Sequence, residues 1–217
     1  MSSHTYLTEL KQYRTVRKRT LAMVENLTQQ QADFRPSVSS WSAGEILDHL
    51  IKSQQMYQQQ FQKLAEMARC GERPVLYLTH KDIDLRLPFI PKPLMPLMSA
   101  PLSVMNAFVP SVVRETLIRN RFISAENPDV SAPRHDAPID ELRAALRDTM
   151  DAQESFFAAN PDLPYDQMRV CHAALGYNSV VGLLRISFLH EQRHQDQFAE
   201  LQKNPQFPRT PSGSRAA

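Results

Sequence analysis

The chain is poor in cysteine. Cys70 and Cys171 stand far apart and belong to no CxxC pair. That spacing excludes a disulfide framework and fits a reducing compartment, so both thiols are expected to be buried and inert. The chain also lacks any apolar run of about 18 residues free of helix breakers, so nothing reads as membrane-spanning. Its first residues, Met1-Ser2-Ser3-His4, open no basic stretch followed by an apolar one. No signal peptide is expected, and a cytoplasmic protein is. Charge of one sign is scarce as well: 25 Lys and Arg against 23 Asp and Glu leave a net charge of +2, spread along the chain. This argues against nucleic acid as a partner. The one local cluster, from Arg14 to Arg19, reads as the solvated face of a helix. Strand-like alternation and repeats of about 20–50 residues are missing too.

What is present is helical. With 217 residues, 42% of them hydrophobic, the chain can bury a core without disulfides or a structural metal. From Ser3 to Gln31, Leu7, Leu10, Tyr13, Thr20, Val24 and Leu27 recur at three- and four-residue steps, the mark of an amphipathic helix. Phe34-Arg35-Pro36 breaks it. Ser42-Ala43-Gly44-Glu45 then fits a capping box, with Trp41 and Ile46 placed for a hydrophobic staple. The helix it opens runs to about Arg69, with Ile46, Leu50, Tyr57, Phe61 and Leu64 inward and His49 beside that stripe. Its glutamines at 54, 55, 58, 59, 60 and 62 read as a solvated face.

Beyond Gly71 the pattern dissolves. Between Pro88 and Pro110 six prolines accompany one charged residue, Lys92. Such density forbids a long helix or a central strand. An irregular apolar excursion is expected there, with a short helix from Leu102 to Phe108, packing on the core or forming a dimer contact. A short helical pattern follows from Val112 to Phe122, then a polar linker from Ser124 to Ala137. Pro138 suits the first turn of a third long helix carrying Ile139, Leu142, Leu146, Met150 and Phe157, ended by Asn160-Pro161. Asn178 is the expected N-cap of a fourth, from about Ser179 to Lys203, which Asn204-Pro205 stops. The expected architecture is an all-α four-helix bundle, one domain over 1–203, with 72–138 inserted between the second and third long helices and 204–217 a disordered tail.

The chemistry concentrates in the last helix, at His190-Glu191-Gln192-Arg193-His194. Histidines four apart share a helix face, which suits one metal ion. The same five residues spell the His-Glu-x-x-His pattern of zinc proteases, in which the glutamate is the general base. That reading needs a third ligand downstream. Glu200 lies on the same helix, and no acid or histidine follows it. An upstream ligand is the alternative: His49 can face the last helix across a bundle, leaving a coordination position open. Taken singly, each histidine is better read as an ordinary buried or exposed residue; the three together are not.

Trp41-Ser42-x-x-Glu45-Ile46-Leu47-x-His49-Leu50 resembles the first signature of the DinB/YfiT-like superfamily. His172-x-x-Leu175-Gly176-Tyr177 followed by Leu189-His190-Glu191-x-Arg193-His194-x-x-Gln197-Phe198 resembles the second. The resemblance spans roughly Leu7 to Leu201, with the Pro-rich stretch least typical. It implies a four-helix bundle, often a homodimer, that binds a divalent metal, commonly zinc or nickel, through His49, His190 and His194. It further implies a metal-dependent enzyme acting on a small molecule, either a hydrolase or a thiol-dependent S-transferase. Characterised members include S-transferases that use low-molecular-weight thiols and a mycothiol-dependent maleylpyruvate isomerase. The competing reading is a non-catalytic metal-binding stress or interaction protein whose metal stabilises the bundle. Glu191 is the candidate base, or orients His49 or another ligand, or is the partner of Arg193 or of a neighbouring helix. His172, Tyr177 and Arg193 are candidates to line the pocket or to support the ligands.

Overall fold

A computed structural model describes residues 3–78, 116, 119, 132–172 and 176–209, with the side chains of 3–5 and 172 outside that description. The expected Pro88–Pro110 excursion and the Leu102–Phe108 helix lie outside the described residues, as does the tail from 210. Within the Val112–Phe122 pattern, Thr116 and Arg119 are helical.

The first helix is shorter than its periodicity suggests. α1 (Ser3–Val24) stops, and a short α2 (Gln29–Asp33) restarts the chain. The cause is a second capping box: Thr28 Oγ1 accepts the Gln31 N–H while Gln31 Oε1 accepts the Thr28 N–H. Two orphan donors are satisfied there, so a new helix start competes with continuing the old one. The expected box at Ser42 and Glu45 opens α3 (Ala43–Arg69). β1 (Val75–Leu78) follows. α4 (Ile139–Ala159) begins one residue after Pro138, which is its N-cap instead of its first helical residue. The Ile139 N–H is taken by Gln29 Oε1 at 2.8 Å, and Asp140 and Glu141 place negative charge in the first turn.

Two further strands correct the all-helical expectation. β2 (Arg169–His172) pairs parallel with β1 and antiparallel with β3 (Gly176–Ser179), in the order β1-β2-β3. The inward face carries Leu76, Leu78 and Val170 against the core. The outward face aligns Tyr77, Cys171 and Tyr177 in one cross-strand row. Asn178 is therefore a strand residue, and Ser179 caps α5 (Val180–Lys203), accepting the Gly182 N–H at 3.0 Å. Both cysteines are free, yet neither is buried: Cys70 is exposed at the end of α3 and Cys171 is partly exposed.

Each long helix packs on two others: α1 on α4 and α5, and α3 on α4 and α5. Among the described residues, no helix is long and apolar enough to cross a membrane. Two apolar clusters fill the interior. One gathers Tyr6, Phe61, Leu64, Phe157, Val170 and Leu183, and the other Val24, Ile46, Leu47, Leu142, Leu146 and Phe198. Each long helix sets buried polar residues between the two: Arg17 and Thr20, Ser53 and Gln54, Thr149, and Ser187, Glu191, His194 and Gln195. Arg17, expected in solvent, is 1% exposed. Its guanidinium forms a two-armed ion pair with Glu191, itself 1% exposed, and also donates to Leu146 O, Thr149 Oγ1 and Tyr13 Oη. The glutamine face is likewise divided. Gln54 and Gln60 are buried, and Gln55, Gln59 and Gln62 are exposed. Past α5, the start of the expected tail packs on the protein: Phe207 meets Phe34 edge to face, and Gln31 Nε2 donates to Pro208 O.

Asp48, one residue before His49, anchors the chain segment that enters α4. Its carboxylate accepts from Arg134 N, Arg134 Nε and Lys52 Nζ at 2.8–2.9 Å, and Lys52 donates to Ala132 O at 2.6 Å. Burial alone would raise the Asp48 carboxyl, but hydrogen bonds from Arg134 and Lys52 outweigh it and hold its pKa below the usual range. A depressed carboxyl contributes stability above the unfolded-state pKa and loses it as pH falls through the folded-state one. In metal-free protein, wild type should therefore melt above Asp48→Asn by a constant margin at neutral pH. That margin should shrink as pH falls below about 4, as followed by calorimetry. A second prediction concerns Gln153, which is 0% exposed with neither amide atom bonded to another described group. Gln153→Met should raise stability by about 1 kcal/mol, because an unpartnered buried amide costs free energy. Denaturant titration reads this directly, and a loss of stability would refute it.

Candidate metal centre

The second turn of α3, fixed by its capping box, carries His49, and two successive turns of α5 carry His190 and His194. Helical spacing puts the last two on one face, and contact between α3 and α5 brings His49 to them. The ring nitrogens converge: His49 Nε2 lies 3.3 Å from His190 Nε2, and His194 Nε2 lies 3.0 Å from the same atom. All three ligand atoms fall within 4.8 Å of one another. Two nitrogens bound tetrahedrally to zinc at its usual bond length stand about 3.3 Å apart, so the separations suit a shared ion. The pair that helical spacing nominated and the His49 that the resemblance added thus converge.

Their protonation states favour the same use. Loss of water around the His190 ring, then the neighbouring His194 and His49 imidazoles and the Arg193 guanidinium, hold its pKa well below the ordinary imidazole value. His190 is therefore neutral at pH 7, the form that offers a lone pair. His194 Nδ1 lies 3.0 Å from the Gln197 amide oxygen. That oxygen can only accept, so the proton belongs on Nδ1 and Nε2 is the nitrogen that offers a lone pair. Gln197 was part of the matched pattern, but its task was not foreseen. Its position three residues after His194, on the same face, is the signal that could have shown it.

Trp41 takes a larger part than a helix staple. Its indole lies 5.0 Å from the His49 ring and stacks at 11° over His194, 6.1 Å away. It also packs against the second apolar cluster, which contains Ile46. The indole thus shields one side of the imidazole group.

The other nominated residues separate. Arg193 lies near enough to act on His190. Glu191 follows His190 but points to α1. Its Oε1 and Oε2 accept from Arg17 at 2.9–3.1 Å and from Thr20 Oγ1 at 2.5 Å. Of its expected roles, the structure places it in the ion pair with a neighbouring helix, with both carboxylate oxygens engaged by α1. Tyr177 is 43% exposed on the outer face of the sheet, with the Arg169 guanidinium 5.8 Å over its ring, and is not brought to the cluster. His172 ends β2, and its side chain lies outside the described residues.

The donor set is three imidazoles with no carboxylate or thiolate among the described groups that converge there. Such a set suits zinc, nickel, copper or iron over magnesium or calcium, which prefer oxygen. No curated protein and no solved structure gives a match to this chain. The family model of the DinB superfamily matches residues 12–198, which include the whole histidine cluster and every long helix but the first turns of α1 and the last of α5, and the chain belongs to the DinB superfamily.

Proposed function

We propose that the four long helices form a bundle of the DinB type and hold one divalent cation, zinc or nickel, through His49, His190 and His194. On this reading the protein is an enzyme that uses the cation on a small molecule, by S-transfer with a low-molecular-weight thiol or by hydrolysis. The observation that carries it is the convergence of three imidazoles, with the Nε2 atoms of His49 and His194 at 3.3 and 3.0 Å from that of His190, which is held neutral. Three protein ligands leave one position for water or substrate, the arrangement of catalytic zinc. A bound divalent ion supplies Lewis-acid chemistry and lowers the pKa of a coordinated thiol or water.

The chain's own residues have distinct tasks in this proposal. Gln197 holds the His194 tautomer. Trp41 covers the imidazoles and limits water on its side. Arg193 adds positive charge beside His190, which favours an anionic reactant group such as a thiolate or carboxylate. Glu191 is committed to Arg17, so a general base, where the reaction needs one, comes from another group or from the substrate. The family resemblance adds a homodimer to the proposal, and the two free, widely separated cysteines add a reducing compartment such as the cytoplasm.

A second reading, a non-catalytic metal that locks the bundle, draws on the fact that the three ligands join α3 to α5. A metal bound only to the folded state adds stability by mass action. Protein purified without a tag or chelator should carry or take up about one zinc or nickel per chain. His49→Ala should lose that metal and lose thiol conjugation to a panel of small electrophiles. Equal activity in wild type and His49→Ala would refute metal catalysis. A lowered melting temperature, with no turnover by wild type on any substrate tried, would favour the locking role.

A further inference from the structure

We propose that the polar tier on α1, formed by Arg17 and Thr20 with their partners Glu191 and Gln195, positions the metal ligands by fixing the rotation of α5. The proposal rests on the metal-binding reading above. Each ligand on α5 is followed by an anchored residue: His190 by Glu191, and His194 by Gln195. A one-residue step turns about 100° around a helix, so the ligands face α3 while the anchors face α1.

The anchoring repeats on two turns. Glu191 receives both arms of Arg17 and the Thr20 hydroxyl. One turn later, Gln195 Nε2 donates to Val16 O at 2.8 Å and to Thr20 Oγ1 at 2.9 Å. Thr20 joins the two turns, since it donates to the first anchor and accepts from the second. Arg17 is itself held from α4, through Leu146 O at 2.7 Å and Thr149 Oγ1 at 2.8 Å. The rotation of α5 is thus referred to two other helices, neither of which contributes a ligand.

Magnitudes favour a positioning role. Turning a helix by about 20° moves a side-chain tip at its surface by about 2 Å. Metal–ligand bonds tolerate about 0.2 Å. Apolar side chains alone specify rotation loosely, because neighbouring residues of similar size can exchange places in the interface. Stability alone is a weak reason for the tier, since a buried ion pair is often no more stabilising than a well-packed apolar substitute.

The test uses the full chain and variants that strand no buried charge. Thr20→Val and Gln195→Met remove hydrogen bonds of the tier, and Thr20→Ser keeps the hydroxyl. Phe61→Leu, in the other apolar cluster, serves as a control for lost stability. Melting of metal-free protein is compared with Zn²⁺ affinity by chelator competition and with the Co²⁺ absorption spectrum, both well below the melting temperature. Thr20→Val and Gln195→Met should weaken Zn²⁺ binding by about 10- to 100-fold and shift the Co²⁺ bands, as loss of groups supporting a ligand commonly does. Thr20→Ser and Phe61→Leu should bind as wild type does. Wild-type affinity in both Thr20→Val and Gln195→Met, or a loss no greater than that of Phe61→Leu at equal melting temperature, overturns the positioning role and leaves the metal site standing. No uptake of Zn²⁺ or Co²⁺ by wild type overturns both.

Discussion

A positive and a negative charge lie together in the middle of this protein, and the interior is arranged around them. Arg17 and Glu191 are 174 positions apart in sequence and almost wholly removed from water. Removing one member of such a pair strands the other, at a cost of about 3–5 kcal/mol. In the intact pair, hydrogen bonds to both groups offset the loss of water. Burial disfavours the charged guanidinium, yet Tyr13 and Glu191 raise its pKa above the ordinary value and keep it charged. The Tyr13 hydroxyl is in turn pushed up by burial. Below the pair lies one apolar cluster and above it the other, so hydrophobic packing and ionic pairing alternate along the same four helices.

The same economy of charge shapes the histidine cluster. Four carboxylates lie close to it in sequence, and each is committed elsewhere. Glu45 caps α3 and pairs with Arg35, Asp48 is bound by Lys52 and Arg134, Glu191 is bound by Arg17, and Asp196 pairs with Arg119. What remains at the point of convergence is three imidazoles, His190 held neutral among them, beside the Arg193 guanidinium. With a divalent ion added, the centre is strongly positive and enclosed on one side by an indole. Such an environment stabilises developing negative charge and disfavours the binding of cations.

The sequence made some of this legible and hid the rest, for physical reasons. The long helices showed through because their apolar period and their caps are local signals. Ser42 and Glu45 state a helix start within four residues. His190 and His194 showed through for the same reason, and the resemblance to the family pattern singled out His49. The sheet did not, because its strands are four residues long and β1 finds its partner almost a hundred positions later. Arg17 reads as surface within a basic run because its acceptors belong to α4 and α5. Gln54 looks like one more solvated glutamine, yet Tyr13 donates to it across the interior. Burial of a polar residue is decided by partners that local pattern cannot reveal.

Trp41 has a use that follows from its being the chain's single tryptophan. The indole sits against two of the three imidazoles and partly within the second apolar cluster. Its emission is sensitive to charge on an adjacent imidazole and to open-shell ions, while closed-shell zinc is a weak quencher. The protein therefore carries an intrinsic optical probe against its histidine cluster. No label is needed to follow filling, protonation or distortion of that centre in real time, and the signal has no second tryptophan to be separated from.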